Sequence, residues 1–306
     1  MIVRPRLSWY RMLFVWKGSV LHSLMAPLSI ILLLSLIVTV DAARGNDLRI
    51  HLNPMPFSLI GVALAIFVSF RNNVSYDRFW EARKLWGELL NRTRTAVRLA
   101  ATMPQPAASP AEMKTTVDLL CAFIYSLKHQ LRGSDATCDL QRLLPSPVAA
   151  EVLARTYRPP QLLMLLARQA TAWHRDGRIG DILLDAIQTQ LEQLTAIVGG
   201  CERILSTPIP YAYSVLLHRT TYFYCALLPF GLVETIGWAT PMISVFIAYA
   251  FMALDAVASE LENPFGEEPN DLPLAAIAVM IERTLREAID EPMPPSAVPD
   301  EHFRLR

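Results

Sequence analysis

Val62, Ile66 and Phe70 are the residues whose types and spacing could do chemistry in this chain, and that chemistry is an apolar surface that excludes water rather than the making of a bond. Their i, i+4, i+8 spacing sets three apolar side chains along one face of a helix. Gly61, Ala65 and Ser69 form a second stripe, rotated by about 100° from the first, and small residues at intervals of four let helices approach closely in lipid. Helices set in a ring need this pair of faces, one looking down the axis and one touching the next subunit. A pattern this short is also what ordinary packing residues produce, and periodicity alone leaves both readings open.

Bond-making chemistry finds no comparable foothold. The sequence contains no phosphate-cradling glycine loop, no nucleophile elbow and no metal-binding histidine pair. His22, His51, His129, His174, His218 and His302 lack ligand-like spacing. Cys121, Cys138, Cys201 and Cys225 lie far apart and read as free thiols in a reduced compartment. With 28 basic against 28 acidic residues the net charge is zero, so nothing points to nucleic acid as a partner. The expectation is a protein that is not an enzyme and carries no cofactor.

The candidate stripes lie in an apolar run from Phe57, FSLIGVALAIFVSF, which passes without a break into the charged RNNVSYDRFWEARKLWGELLNRTR ending at Arg94. A membrane helix that continues as a water-exposed helix can carry a pore into a soluble vestibule. Composition agrees with such a division: 53% hydrophobic and 18% charged residues fall between a soluble enzyme and a bundle lying wholly in lipid. Four segments approach the roughly 20 apolar residues that a span needs: Val20 to Val40, the run from Phe57, Tyr222 to Trp238, and Ala239 to Ala258. The first resembles a signal peptide in its flanks, but its apolar run exceeds the usual range of about 7 to 15 residues, so it is read as an uncleaved helix.

Basic residues near span ends stay cytoplasmic. Arg4, Arg6, Arg11 and Lys17 precede the first span, and Arg71, Arg78, Arg83 and Lys84 follow the second. The loop between has only Arg44 and Arg49 against Asp41 and Asp47. Both termini are therefore predicted inside, with residues 1–19 as an N-terminal cytoplasmic segment, 20–78 as two membrane helices including a pore helix, 79–213 as a cytoplasmic helical region, 214–260 as two more spans, and 261–306 as a cytoplasmic end.

Apolar positions three or four apart predict helices through residues 79–103, 111–133, 145–177 and 179–205. Pro104 to Pro110, Gly133 to Asp139, Pro159-Pro160 and Gly177 to Gly180 punctuate them. No repeat and no alternating strand pattern is present, so the fold class is all-α: four transmembrane helices continuous with a cytoplasmic helical bundle. The tail from Pro292 is expected to be extended. Tyr76, Phe79, Trp80 and Trp86 are assigned to an interfacial belt or to packing between subunits.

Four blocks in order carry a resemblance to a known family: SFRNNVSYDRFWEARKLWG from Ser69, DGRIGDILL from Asp176, GGCERILSTPIPYAYSVLLHR from Gly199, and ENPFGEEPNDLPL from Glu262. Together they resemble the bestrophin ion channels, in their bacterial branch, over nearly the whole chain to about Ala275. The resemblance implies a homopentamer around one central pore in the inner membrane, passing chloride and similar small monovalent anions. It places an apolar neck on Val62, Ile66 and Phe70, the face that the spacing isolates, and a cytoplasmic aperture on Ile182. A one-residue difference in that block from animal members leaves Ile179 as a rival.

ENPFGEEPNDLPL resembles the acidic loop that clasps calcium in animal bestrophins, which nominates Asn263, Glu267, Glu268, Asn270 and Asp271. Calcium wants six to eight oxygens, and Pro269 and Asn270 dilute the acidic run, so capping of the following helix by Asp271-Leu272-Pro273 is the preferred reading. Glu234 and Asp255 stand within spans, where ionisable groups are functional candidates by default. The neck carries no ring of charge, which leaves a cation-conducting channel of the same fold open beside an anion channel. A non-conducting membrane scaffold or regulator is the remaining alternative; a secondary transporter lacks the repeated pair of broken helices such folds use.

Overall fold

The computed structural model describes residues 1–4, 8–12, 15–16, 18–44 and 53–305. Arg6, Lys17, Asp47, Arg49 and His51, which entered the readings above, lie outside the described residues. Among the described residues all regular structure is helical, apart from one isolated antiparallel bridge between Ile2 and Arg304. In chain order the helices are α1 Trp9–Met12, α2 Leu21–Arg44, α3 Pro54–Thr102, α4 Pro110–Arg132, α5 Thr137–Leu143, α6 Ser146–Leu153, α7 Arg158–Arg175, α8 Asp181–Ser206, α9 Tyr211–Ile236, α10 Thr240–Glu262 and α11 Leu274–Glu287.

The chain resolves into two compact units. The first comprises Pro5–Phe79 and Pro208–Asn263; the second comprises Met1–Arg4, Trp80–Thr207 and Pro264–Arg306. The boundary at Phe79 falls inside α3, which is helical without a break from the apolar run into the charged one.

In the first unit α2, α9 and α10 pack on one another, burying Leu24, Leu28 and Ile31 against Cys225, Ala248 and Met252. Ile30, Leu33 and Ile37 on the other faces of α2 are exposed, as lipid-facing side chains are in a chain seen alone. Leu21–Arg44, Pro54–Thr102 and the stretch Tyr211–Glu262 are long and apolar enough to cross a membrane. The last of these is two helices. Gly237 takes φ 51°, a conformation that glycine reaches without steric cost, and the 3-10 turn Gly237–Ala239 separates α9 from α10. The four spans expected from the sequence are thus four helices.

The second unit is built around α4, whose Leu120, Cys121, Ala122, Phe123, Ile124 and Leu127 are all fully buried. A helix stretch buried on every side must be enclosed by others, and α5, α7, α8 and α11 pack around it. Ser109 and Glu112 close a capping box over its first turn, and Gly133 ends it in the left-handed conformation at φ 61°. Three sequence expectations need correction here. The break expected at Pro159-Pro160 within residues 145–177 falls earlier, between Leu153 and Arg158, because Pro159-Pro160 begin α7 rather than interrupt it; proline in a first turn forfeits no hydrogen bond. Thr137–Leu143, read partly as punctuation, is helical. Trp86, assigned to a membrane belt or subunit contact, is buried in this unit.

Buried charge in the second unit is paired. Glu282 of α11 accepts hydrogen bonds from Tyr125 Oη at 2.8 Å and from Arg142 at 2.8 and 2.9 Å, and Arg286 Nε donates to it at 2.8 Å. Burial acts to raise the pKa of Glu282, but these donors outweigh it and the net shift is downward. Asp139 behaves alike: burial opposes, and His129 and Lys128 at 2.8 and 3.0 Å bring its pKa from 3.8 to about 2. A carboxylate depressed by folding stabilises above its unfolded pKa, and that stability is lost as pH falls toward the folded value. The melting temperature followed by helical circular dichroism is therefore expected to drop as pH is lowered from 3.8 toward about 2, with part of the drop absent in Asp139→Asn. An equal drop in that variant would show that this pair contributes nothing.

Candidate functional site

The helix α3 presents two different faces in the first unit. Leu64, Val68, Arg71 and Ser75 are buried, spaced three and four apart, and Leu64 and Val68 pack with Leu217 against Tyr213, Tyr224 and Phe251 of α9 and α10. Val62, Ile66 and Phe70 point the other way and are 61%, 51% and 58% exposed. An apolar stripe left open by the chain's own packing is available to an axis or to another chain.

The small-residue stripe divides between the two faces. Ala65 and Ser69 are exposed. Gly61 instead meets its own α9: a Cβ there would stand 2.7 Å from Tyr224 Oη, and that ring is held by Phe57 and Phe251. The expectation that Gly61 is reserved for a neighbouring subunit is corrected to a close approach inside the chain. Glu234 lines an apolar groove of about 660 Å³ with Asp41, Ile37, Phe230 and Trp238.

Ile182 stands on the first turn of α8 and is 85% exposed, whereas Ile179 is buried. The loop before α8 is fastened from two sides. Arg178 donates to both carboxylate oxygens of Glu112, at 2.5 and 3.2 Å, and to the carbonyls of Pro106 and Ala107. The Arg178 guanidinium holds the Glu112 carboxyl well below the usual carboxylate range, helped by the Ser109 N–H and the Trp173 indole. His174 Nδ1 donates to Ile179 O at 3.0 Å, and Gln105 N–H donates to Arg178 O at 2.8 Å. Ile179 is thereby tied into the bundle, and the chain turns at Gly180 to release Ile182 outward. The motif around Arg178 does not announce this clamp; the Pro-rich stretch it grips, Pro104 to Pro110, is the signal the sequence offers.

The model of the bacterial and fungal bestrophin proteins matches residues 1–287. This chain belongs to the bestrophin family. Among its relatives, a voltage-dependent anion channel-forming protein of Ralstonia nicotianae is 48% identical over 292 residues, covering 95% of each chain. One of the same description from Salmonella typhi is 40% identical with 100% of both chains covered. The crystal structure of a bacterial bestrophin homologue from Klebsiella pneumoniae superposes with a TM-score of 0.84 at 42% identity, over 88% of this chain and 99% of that one.

The loop that resembles the calcium clasp of animal bestrophins places its nominated residues apart from one another. Glu267 is exposed and stands 3.6 Å from the Arg132 guanidinium, which also donates to Phe265 O and Leu272 O at 3.4 Å each. Asp271 is buried, and its Oδ2 accepts the Glu268 N–H at 2.6 Å. Glu268 and Asn270 flank that turn, and Asn263 is exposed at the end of α10. Among the described residues no three carboxylate, histidine or cysteine side chains converge on one point. The capping alternative also needs correction, since α11 begins at Leu274 with Pro273 at the N-cap position and no side-chain cap, and Asp271 closes the preceding turn instead.

Proposed function

We propose that this bestrophin assembles as a homopentamer in the bacterial inner membrane, both termini cytoplasmic, and conducts chloride and similar small monovalent anions. Val62, Ile66 and Phe70 form the neck and Ile182 the aperture at the cytoplasmic side. The observation that carries the reading is the apolar, outward stripe of α3, solvent-exposed in the single chain while the opposite face is packed on α9 and α10. One chain contributes one such stripe, so a closed wall requires several copies around an axis. In this arrangement residues 20–78 and 214–260 cross the bilayer and residues 79–213 form the cytoplasmic part. Relatives named as anion channel-forming proteins support the substrate class, and membership of a channel family supports a protein that catalyses no reaction.

A cation-conducting channel of the same fold is the alternative reading, and one observation bears on it. Asp181, next to Ile182, has a side chain 94% exposed with His174 Nε2 3.5 Å from its Oδ1, and a ring of carboxylates beside an aperture attracts cations. Purified protein in planar bilayers under a salt gradient separates the two. A reversal potential at the anion equilibrium value supports the proposal, one at the cation value supports the alternative, and no current at all supports a scaffold.

Assembly has its own test. Gly61→Leu is expected to lower the melting temperature through overpacking against Tyr224, at a cost of about 1 to 3 kcal/mol. Ala65→Leu, on the exposed stripe, is expected to reduce the oligomer mass seen by light scattering, because bulk there separates neighbouring helices. Normal mass in Ala65→Leu would remove this stripe from the subunit contact.

A further inference from the structure

Beyond Phe70, α3 carries Asn73 and Asp77 within the arc that the neck residues occupy. At about 100° per residue, Ile66 and Phe70 lie about 40° and 80° round the helix from Val62, and Asn73 and Asp77 about 20° and 60°. Both polar residues are exposed, as the three apolar ones are. Arg71 and Ser75, the buried residues of the same stretch, fall on the opposite side, at about 180° and 220°. The open stripe therefore continues for two further turns and changes from apolar to polar as it does so. From Phe70 to Asp77 the helix rises about 10 Å.

Two arginines bracket Asp77 in the sequence, and both are drawn toward α10. Arg71 is 5% exposed and donates to Asp255 Oδ1, to Ser259 Oγ at 2.9 Å and to Glu262 Oε2 at 3.4 Å. Arg78 Nε donates to Glu262 O at 3.2 Å. Basic residues that a charge count places at the end of this span are thus turned away from the open stripe. Among the described residues no side chain pairs with the Asp77 carboxylate. The charge that the stripe shows beside Phe70 is negative.

A carboxylate repeated around an axis, next to a narrow apolar passage, concentrates cations and depletes anions at that mouth. Its reach is set by salt. The Debye length is about 10 Å at 0.1 M and about 3 Å at 1 M, so a ring about 10 Å from Phe70 acts on the neck in dilute salt and is screened from it in concentrated salt.

We propose that Asp77 is a specificity-determining residue of this channel, its carboxylates forming a ring at the cytoplasmic mouth of the neck that favours the entry of cations over anions. The inference rests on the channel reading above. It holds whichever ion carries the larger share of the current, because the ring moves the ratio between them in one direction.

The test measures reversal potentials of the full-length protein in planar bilayers under a potassium chloride gradient, at mean concentrations of about 0.1 M and about 1 M, with melting temperature and oligomer mass checked for every variant. In Asp77→Asn the permeability ratio of chloride to potassium is expected to rise about twofold or more at the lower salt, and the difference from the parent to shrink at the higher. Asp77→Glu is expected to keep the parent's ratio. Asn73→Asp, which adds a carboxylate to the same arc nearer Phe70, is expected to lower it. A packing role for Asp77 would change yield or melting temperature and leave the ratio and its salt dependence intact. A conducting parent matched by Asp77→Asn at both salts overturns the proposal alone, and the neck reading keeps its own test in Ile66. If Asp77→Asn does not assemble, an unchanged ratio in Asn73→Asp overturns the proposal instead. A parent that never conducts overturns the channel reading as well.

Discussion

Ile66→Ala is expected to conduct more current per channel than the parent protein, and Ile66→Trp close to none. Ile66 is the middle member of the outward stripe on α3 and packs against nothing in its own chain that would bury it. In a ring of such side chains an ion sheds water without receiving ligands in return, and a narrow apolar section can dewet and close. Removing the side chain beyond Cβ widens every position of the ring at once, so the barrier falls steeply; the indole of tryptophan fills it. If Ile66 were a packing residue the outcome would differ. Ile66→Ala would then leave a cavity costing about 2 to 5 kcal/mol, and current would be unchanged or reduced. Bilayer recordings at equal protein incorporation decide between them, and two variants conducting like the parent would mean that this face of α3 does not line the pathway.

The second large effect concerns the pair of isoleucines at the start of α8. Ile182→Ala is expected to raise current or alter ion preference while leaving melting temperature and oligomer mass unchanged, since the side chain is 85% exposed and its loss creates no cavity. Ile179→Ala is expected to do the reverse. Ile179 is buried in the bundle, so its truncation costs stability in the range of about 2 to 5 kcal/mol. Because His174 and Arg178 fix the loop on either side of it, current should change only as far as the loop loosens. A strong current effect from Ile179→Ala with none from Ile182→Ala would reverse the assignment of the aperture. Silence from both would argue against any constriction in this segment.

The helices with strong 3.6-residue periodicity were legible because periodicity and apolar length are properties of a single segment. The neck candidates were legible for the same reason, as an i, i+4, i+8 stripe in an apolar run. The break within residues 145–177 is legible but not its position, because Pro159-Pro160 can either stop a helix or start one, and the chain around them decides which. Thr137–Leu143 is too short for its own periodicity to rise above the turn residues at its edge. Asp255 attracted attention as a charge inside a span, but its partner could not be named. Arg71 was counted among the basic residues at a span end, where it serves the orientation argument equally well whether it faces water or a carboxylate.

What the sequence determined by itself is the all-helical class, the four membrane helices, the unbroken passage of α3 from apolar to charged residues, and the family. Each is encoded in consecutive residues or in motifs read in order. Only the tertiary structure decided that Ile182 is exposed and Ile179 buried, that Gly61 closes on Tyr224 of its own chain, that Asp271 closes a turn in its loop, and that Arg71 reaches Asp255 across 184 residues of sequence. These depend on which side chains of distant segments meet once the helices pack. A helix pattern states which residues share a face; the neighbours that cover that face, or leave it open, come from elsewhere in the chain.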